Sequence, residues 1–183
     1  MMQCSLLSLG CVFGFASATE QTTLTALKAL KIAQRRLRPE VRAKLLSVSS
    51  ARVTGNFVPD AWRFVFLDLA TSGHCRVVTV AAKTSSEHPD TVEAFSSAKL
   101  ENIDELHPIP QNKLFVDSEK VLSLARKQTS LNGVKGAQYR LLQPSHSKEP
   151  VWTVEFYGEG ADPLSEVEVG ARSAEMVAER MAA

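Results

Sequence analysis

Apolar positions along this chain follow two spacings, and the same succession of them occurs twice, about 90 residues apart. Over residues 22–37, Leu27, Leu30 (or Ile32), Ala33 and Leu37 fall on one side at helical spacing, with Lys28, Lys31, Arg35 and Arg36 placed elsewhere; this predicts an amphipathic helix. Thr22 or Thr23 is placed to cap its start, and Pro39 ends it by disfavouring α conformation at Arg38. Residues 45–53, 62–69 and 76–82 are then rich in β-branched, aromatic or alternating apolar positions. Gly55-Asn56, Pro59-Asp60 and Thr71-Ser72-Gly73 separate them, so three antiparallel strands are expected. The second succession opens on Asp117-Ser118-Glu119, an N-cap signature, and its helix carries Val121, Leu122, Leu124 and Ala125. Strands follow over residues 137–142, 151–157 and 164–169, and residues 174–183 read as a short helix or a frayed tail.

Particular residues recur as well as the pattern. One strand in each half opens on tryptophan, Trp62-Arg63-Phe64-Val65-Phe66-Leu67 and Trp152-Thr153-Val154-Glu155-Phe156-Tyr157. A closing strand ends in small, basic and hydroxyl residues, Val80-Ala81-Ala82-Lys83-Thr84 and Val169-Gly170-Ala171-Arg172-Ser173. The expected fold is α+β: two similar units, each a helix packed on a small antiparallel sheet. The first spans residues 22–84 and the second 117–177. Residues 85–116, with Pro89, Pro108 and Pro110, are the connecting segment, and 178–183 the tail. Units of this size have marginal cores, so the two are expected to pack together.

Ahead of the first unit, residues 6–15 are apolar and uncharged, and Ala16-Ser17-Ala18 follows with small residues where a signal peptidase reads. Residues 1–18 are therefore expected to be a signal peptide, although Met1-Met2-Gln3 lacks the usual Lys or Arg. The run is too short to span a bilayer. Leu9-Gly10-Cys11 offers a second reading, the end of a lipoprotein-processing site with Cys11 acylated. Cys4 and Cys11 fall in this segment, so Cys75 stands alone beyond it and no internal disulfide framework is expected. The formal net charge of +1 gives no overall field favouring nucleic acid or an acidic membrane surface.

The closing strands and their turns resemble the PepSY family, in which a strand of the form Val-Asp-Ala-x-Thr-Gly-Glu-Val ends a helix-plus-sheet unit. Here the stretches are Val169-Gly170-Ala171-Arg172-Ser173-Ala174-Glu175-Met176 and Val80-Ala81-Ala82-Lys83-Thr84-Ser85-Ser86-Glu87. The family's Asp is replaced by Gly170 and Ala81, and its turn Gly by Ala174 and Ser85, where a positive φ is costly. The resemblance implies a PepSY/cystatin-like fold and an exported, non-catalytic binding module, of the kind that restrains secreted peptidases or engages another envelope protein. The alternative is a small-ligand or enzymatic domain with a pocket between helix and sheet.

No assembled chemistry is legible. His74 and Cys75 are adjacent, and neighbours on a strand point to opposite faces, which argues against a thiol–imidazole pair. His88, His107 and His146 lie in polar or proline-flanked loops without metal-ligand spacing. Glu159 and Asp162 sit in a turn where carboxylates are ordinarily solvated. Arg35, Arg36 and Arg38 suit a helix C-terminus and a solvated face. Trp62 and Trp152, at matched positions, are read as core. No catalytic residue, cofactor or metal is expected. Sheet edges offer a binding mode by strand addition, and Glu155, Tyr157, Glu166 and Glu168 are expected to share one exposed face.

Overall fold

The computed structural model describes residues 23–71, 73–82, 90–96 and 106–181. The N-terminal segment containing Cys11 and its two processing readings lies outside them, as do His88, Lys83, Thr84 and Ser85. In chain order the elements are α1 (Ala26–Arg35), α2 (Pro39–Arg42), β1 (Leu45–Ser49), β2 (Val53–Thr54), β3 (Ala61–Leu67), β4 (Cys75–Ala82) and β5 (Asp90–Ser96). They continue with a 3-10 turn (Gln111–Lys113), α3 (Ser118–Gln128), β6 (Gly136–Leu142), β7 (Val151–Tyr157), β8 (Pro163–Gly170) and β9 (Met176–Met181).

The expected pair of small separate sheets does not form. Strands from both halves make one continuous antiparallel sheet in the order β5-β4-β3-β1-β6-β7-β8-β9, with β2 pairing β6 off that path. The joint is β1 on β6, with Val48 opposite Leu141 and Ser49 opposite Arg140, extended by Val53 opposite Ala137. The fold is thus mostly sheet with few helices, not two helix-on-sheet units. The physical reason is that an isolated three- or four-strand sheet leaves an unpaired edge, and joining the two edges satisfies both rows of backbone groups. Two further expectations are corrected. The segment 85–116 is not only a connector: it supplies β5, on the far side of β4, and the core residue Ile109. Residues 176–181, expected as helix or fraying tail, are strand β9.

One sheet face is covered by α1 and α3. The buried stripe of α1 (Ala26, Ala29, Leu30, Ala33) and that of α3 (Val121, Leu122, Ala125) pack on Trp62, Phe64, Val78, Tyr139, Trp152, Val154 and Val167. α1 lies against β3, β4 and β5, and α3 against β7 and β8. Each tryptophan is fully buried and ties its helix to the sheet. Trp62 Nε1 donates to Leu24 O (2.9 Å) and Trp152 Nε1 to Val116 O (2.9 Å), each acceptor lying one residue before an N-cap. The two indoles meet edge to face, 6.1 Å between centroids. Above them the helix starts share caps: Ala26 N donates to Ser118 Oγ (3.1 Å) and Leu27 N to Asp117 Oδ1 (3.0 Å). The α1 N-cap is Thr25, not Thr22 or Thr23, with its side chain accepting from Lys28 N. One carboxylate thus answers the positive ends of two helices.

Candidate functional site

The second half of the sheet leaves its other face open, and alternation decides what stands there. Across β6–β9 the register aligns Arg140, Thr153, Glu168 and Ala178 in one row and Gln138, Glu155, Glu166 and Arg180 in the next. Glu155, Glu166 and Glu168 share this face as expected, but they are half-buried and partnered. Arg140 lies 3.8 Å from Glu155, and Arg180 lies 3.1 Å from Glu166 and 3.7 Å from Glu168. Tyr157, nearly buried, donates its hydroxyl to Glu155 Oε2 at 2.7 Å, and the Arg52 guanidinium lies over its ring, 4.4 Å from the centroid. Burial, then the hydrogen bond to Glu155 and its charge, push the Tyr157 hydroxyl up to about 12. An ion-pair ladder satisfied from within is not an acidic receptor, so the four residues form an internally paired, partly buried sheet face rather than a site.

The hairpin beyond this face is different. β9 pairs β8 on one side and no described strand on the other. Its polar residues are turned inward: Arg180 reaches Glu166 and Glu168, and Glu179 accepts from Thr129 Oγ1 at 3.0 Å. Arg180 and Glu179 stay exposed all the same, and beside them stand apolar side chains, with Met176 at 37%, Val177 at 51% and Met181 at 65% exposure. Natural edge strands are usually blunted by charge or proline; here both charged side chains are bonded back within the protein and no proline interrupts the strand, so its backbone edge is a template for another strand. The turn feeding it is built tightly. Glu149 accepts from Arg172 N (2.7 Å), Ser173 N (2.9 Å) and Ser173 Oγ (2.9 Å). Burial opposes the ionised form of Glu149, but these hydrogen bonds and the Arg172 charge outweigh it and hold its carboxyl below the usual range. Ala174 closes the turn at φ 61, the left-handed value that the missing glycine made costly. Sequence reasoning passed over β9, because Met176-Val177-Ala178-Glu179-Arg180-Met181 reads equally as a helical turn.

The other candidates are scattered. His74, at φ 52, is exposed, whereas Cys75 is buried with Leu46, Val65 and Val77, so the neighbours do not form a reactive pair. His107 and His146 are exposed on separate loops, and Glu159 and Asp162 are exposed in the β7–β8 turn. Among the described residues no three His, Cys, Asp or Glu side chains converge as a metal site. Between α3 and the β2–β3 loop, Leu24, Phe57, Val58, Pro59, Leu122 and Tyr139 line an apolar recess of about 100 Å³, room for roughly one side chain. Near the other end of the molecule, the buried Asp68 holds Arg38 (3.1 Å) and Arg76 (3.0 Å).

No family model and no curated protein matches the chain. A crystal structure of a Clostridium difficile 630 protein described as a "putative lipoprotein" is similar in fold. The TM-score is 0.58 at 12% identity, over 87% of this chain and 94% of that one. Among the described residues no helix is long and apolar enough to cross a membrane.

Proposed function

We propose that this protein is an exported, non-catalytic binding module that takes up an extended segment of a partner protein along the outer edge of β9. The observation that carries the reading is that edge: unpaired among the described strands, with Arg180 and Glu179 bonded back to β8 and to the end of α3 and three apolar side chains exposed beside them. Strand addition supplies main-chain hydrogen bonds for affinity, and the exposed Met176, Val177 and Met181 supply selectivity. Export rests on the apolar run ahead of Ala16-Ser17-Ala18, and the fold neighbour's description as a lipoprotein is in keeping with it. The PepSY resemblance of the closing strands makes a secreted peptidase, or its zymogen, the partner class to seek first.

The test is capture from the organism's exported proteins with the wild-type chain and with a Val177→Lys/Met181→Lys variant as baits. Recovery of the same peptidase or envelope protein by the wild type, and its loss with the folded variant, is expected. Equal recovery by both, or a co-purifying small molecule in place of any protein, contradicts the reading.

A further inference from the structure

The formal charge of +1 conceals a segregation. Residues 23–82 carry ten Lys and Arg against three carboxylates, whereas residues 106–181 carry nine against ten. In the basic half the surplus is concentrated on the helical layer. Lys28, Lys31 and Arg35 on α1, Arg36 at its C-cap, and Arg38, Arg42 and Lys44 around α2 are all exposed. Glu40 is the one carboxylate in residues 28–44, and it pairs with Arg38 (3.5 Å), which also pairs with the nearby Asp68; the other six cations make none of the ion pairs seen among the described residues. At the α2 end of this strip, Leu69 is 65% exposed on the rim of a 220 Å³ cleft that Arg38 and Lys44 also line.

We propose that the α1–α2 face docks on an anionic lipid bilayer, its cations against headgroup phosphates and Leu69 entering the boundary layer. The cations do not converge in a shaped pocket. They run along a ten-residue helix, about 15 Å long, and past its end. That distribution fits a planar anionic surface, to which each Lys or Arg adds its own attraction, and an apolar tip deepens the contact. A nucleic-acid partner is the poorer fit, because residues 28–44 contain no aromatic side chain on which a base would stack. The surface is separate from the binding edge proposed above. α1 packs over β3, β4 and β5, and β9 is the opposite end of the sheet, so the module can rest on a membrane and hold a partner at once.

The test is co-sedimentation of the full chain with phosphatidylcholine vesicles, with and without phosphatidylglycerol. Any partitioning of the apolar run at residues 6–15 is common to both kinds, so the difference between them reports the charged face. Preference for the anionic vesicles, weakened by salt, is expected. It should fall roughly tenfold or more in Lys31→Gln/Arg35→Gln/Arg36→Gln, as expected for three lost surface charges. The matched variant Lys120→Gln/Lys127→Gln/Lys135→Gln removes as many exposed charges from the other half and should keep the preference. Circular dichroism establishes that both variants fold. Equal binding to the two vesicle types, equal loss in the two variants, or binding to a DNA duplex without vesicle preference overturns the proposal.

Discussion

Asp68 is the residue on which the basic half depends electrostatically. Its carboxylate is almost wholly buried at the end of β3, receiving Arg38, Arg76 and the amide of Ala70. Burial opposes its charge, but the Arg76 and Ala70 hydrogen bonds and the two guanidinium charges prevail and hold its carboxyl below the ordinary 3.8. A carboxyl depressed on folding contributes stability that is complete above its ordinary value and is lost as pH falls through the lower folded value. Acid unfolding followed by fluorescence should therefore steepen below about pH 4, with Glu149 adding to the same limb. Asp68→Asn should lose roughly 2 kcal/mol at neutral pH in urea unfolding and flatten that limb; an unchanged acid limb would contradict the assignment. Ala174 makes the opposite prediction. At φ 61 it occupies backbone space that glycine enters freely, so Ala174→Gly should stabilise by about 0.5–1 kcal/mol. Gly170→Ala should destabilise, since a Cβ there would meet Ser173 Oγ at 2.5 Å and Glu149 Oε1 at 2.8 Å. Of these features only the cost at Ala174 was readable from sequence, because it needs one residue and one turn. The Asp68 pairs join residues 30 and 8 apart in the chain and have no local signature.

Among the elements, the two helices were the most legible and the sheet edges the least. Leu27, Leu30, Ala33 and Leu37 recur at helical steps, and Asp117 announces its cap, so position and facing follow from spacing alone. β9 has a sequence equally suited to a helical turn and is held as strand by its pairing with β8, a tertiary preference overriding a weak local one. The pairing of β1 with β6 was equally hidden: each strand's pattern says which face is buried and nothing about which edge it meets. The tryptophans show how the elements are coupled. Each indole satisfies a buried carbonyl at a helix start, so Trp62→Phe and Trp152→Phe should each lose about 2 kcal/mol by leaving that carbonyl unpaired. Because the rings touch, the double variant should depart from additivity by about 0.5–1.5 kcal/mol in chemical denaturation. Strict additivity would mean that the two helix anchors act independently.

At the scale of the molecule, the sheet puts unlike surfaces at its two ends: a cationic helix over β3, β4 and β5, and an unpaired strand edge with exposed apolar side chains at β9. The near-zero net charge concealed the first, since charges cancel in a sum and not in space. The second lies after the matched strands, in residues whose sequence suits a helical turn as well as a strand. The central claim is that β9 adds a partner's strand, and hydrogen–deuterium exchange on the captured complex tests it most directly. Residues 176–181 should exchange freely in the isolated chain at amides facing away from β8, and slow by roughly tenfold or more in the complex as those amides gain partners. Unchanged exchange over residues 176–181, with protection appearing on another surface, would contradict it.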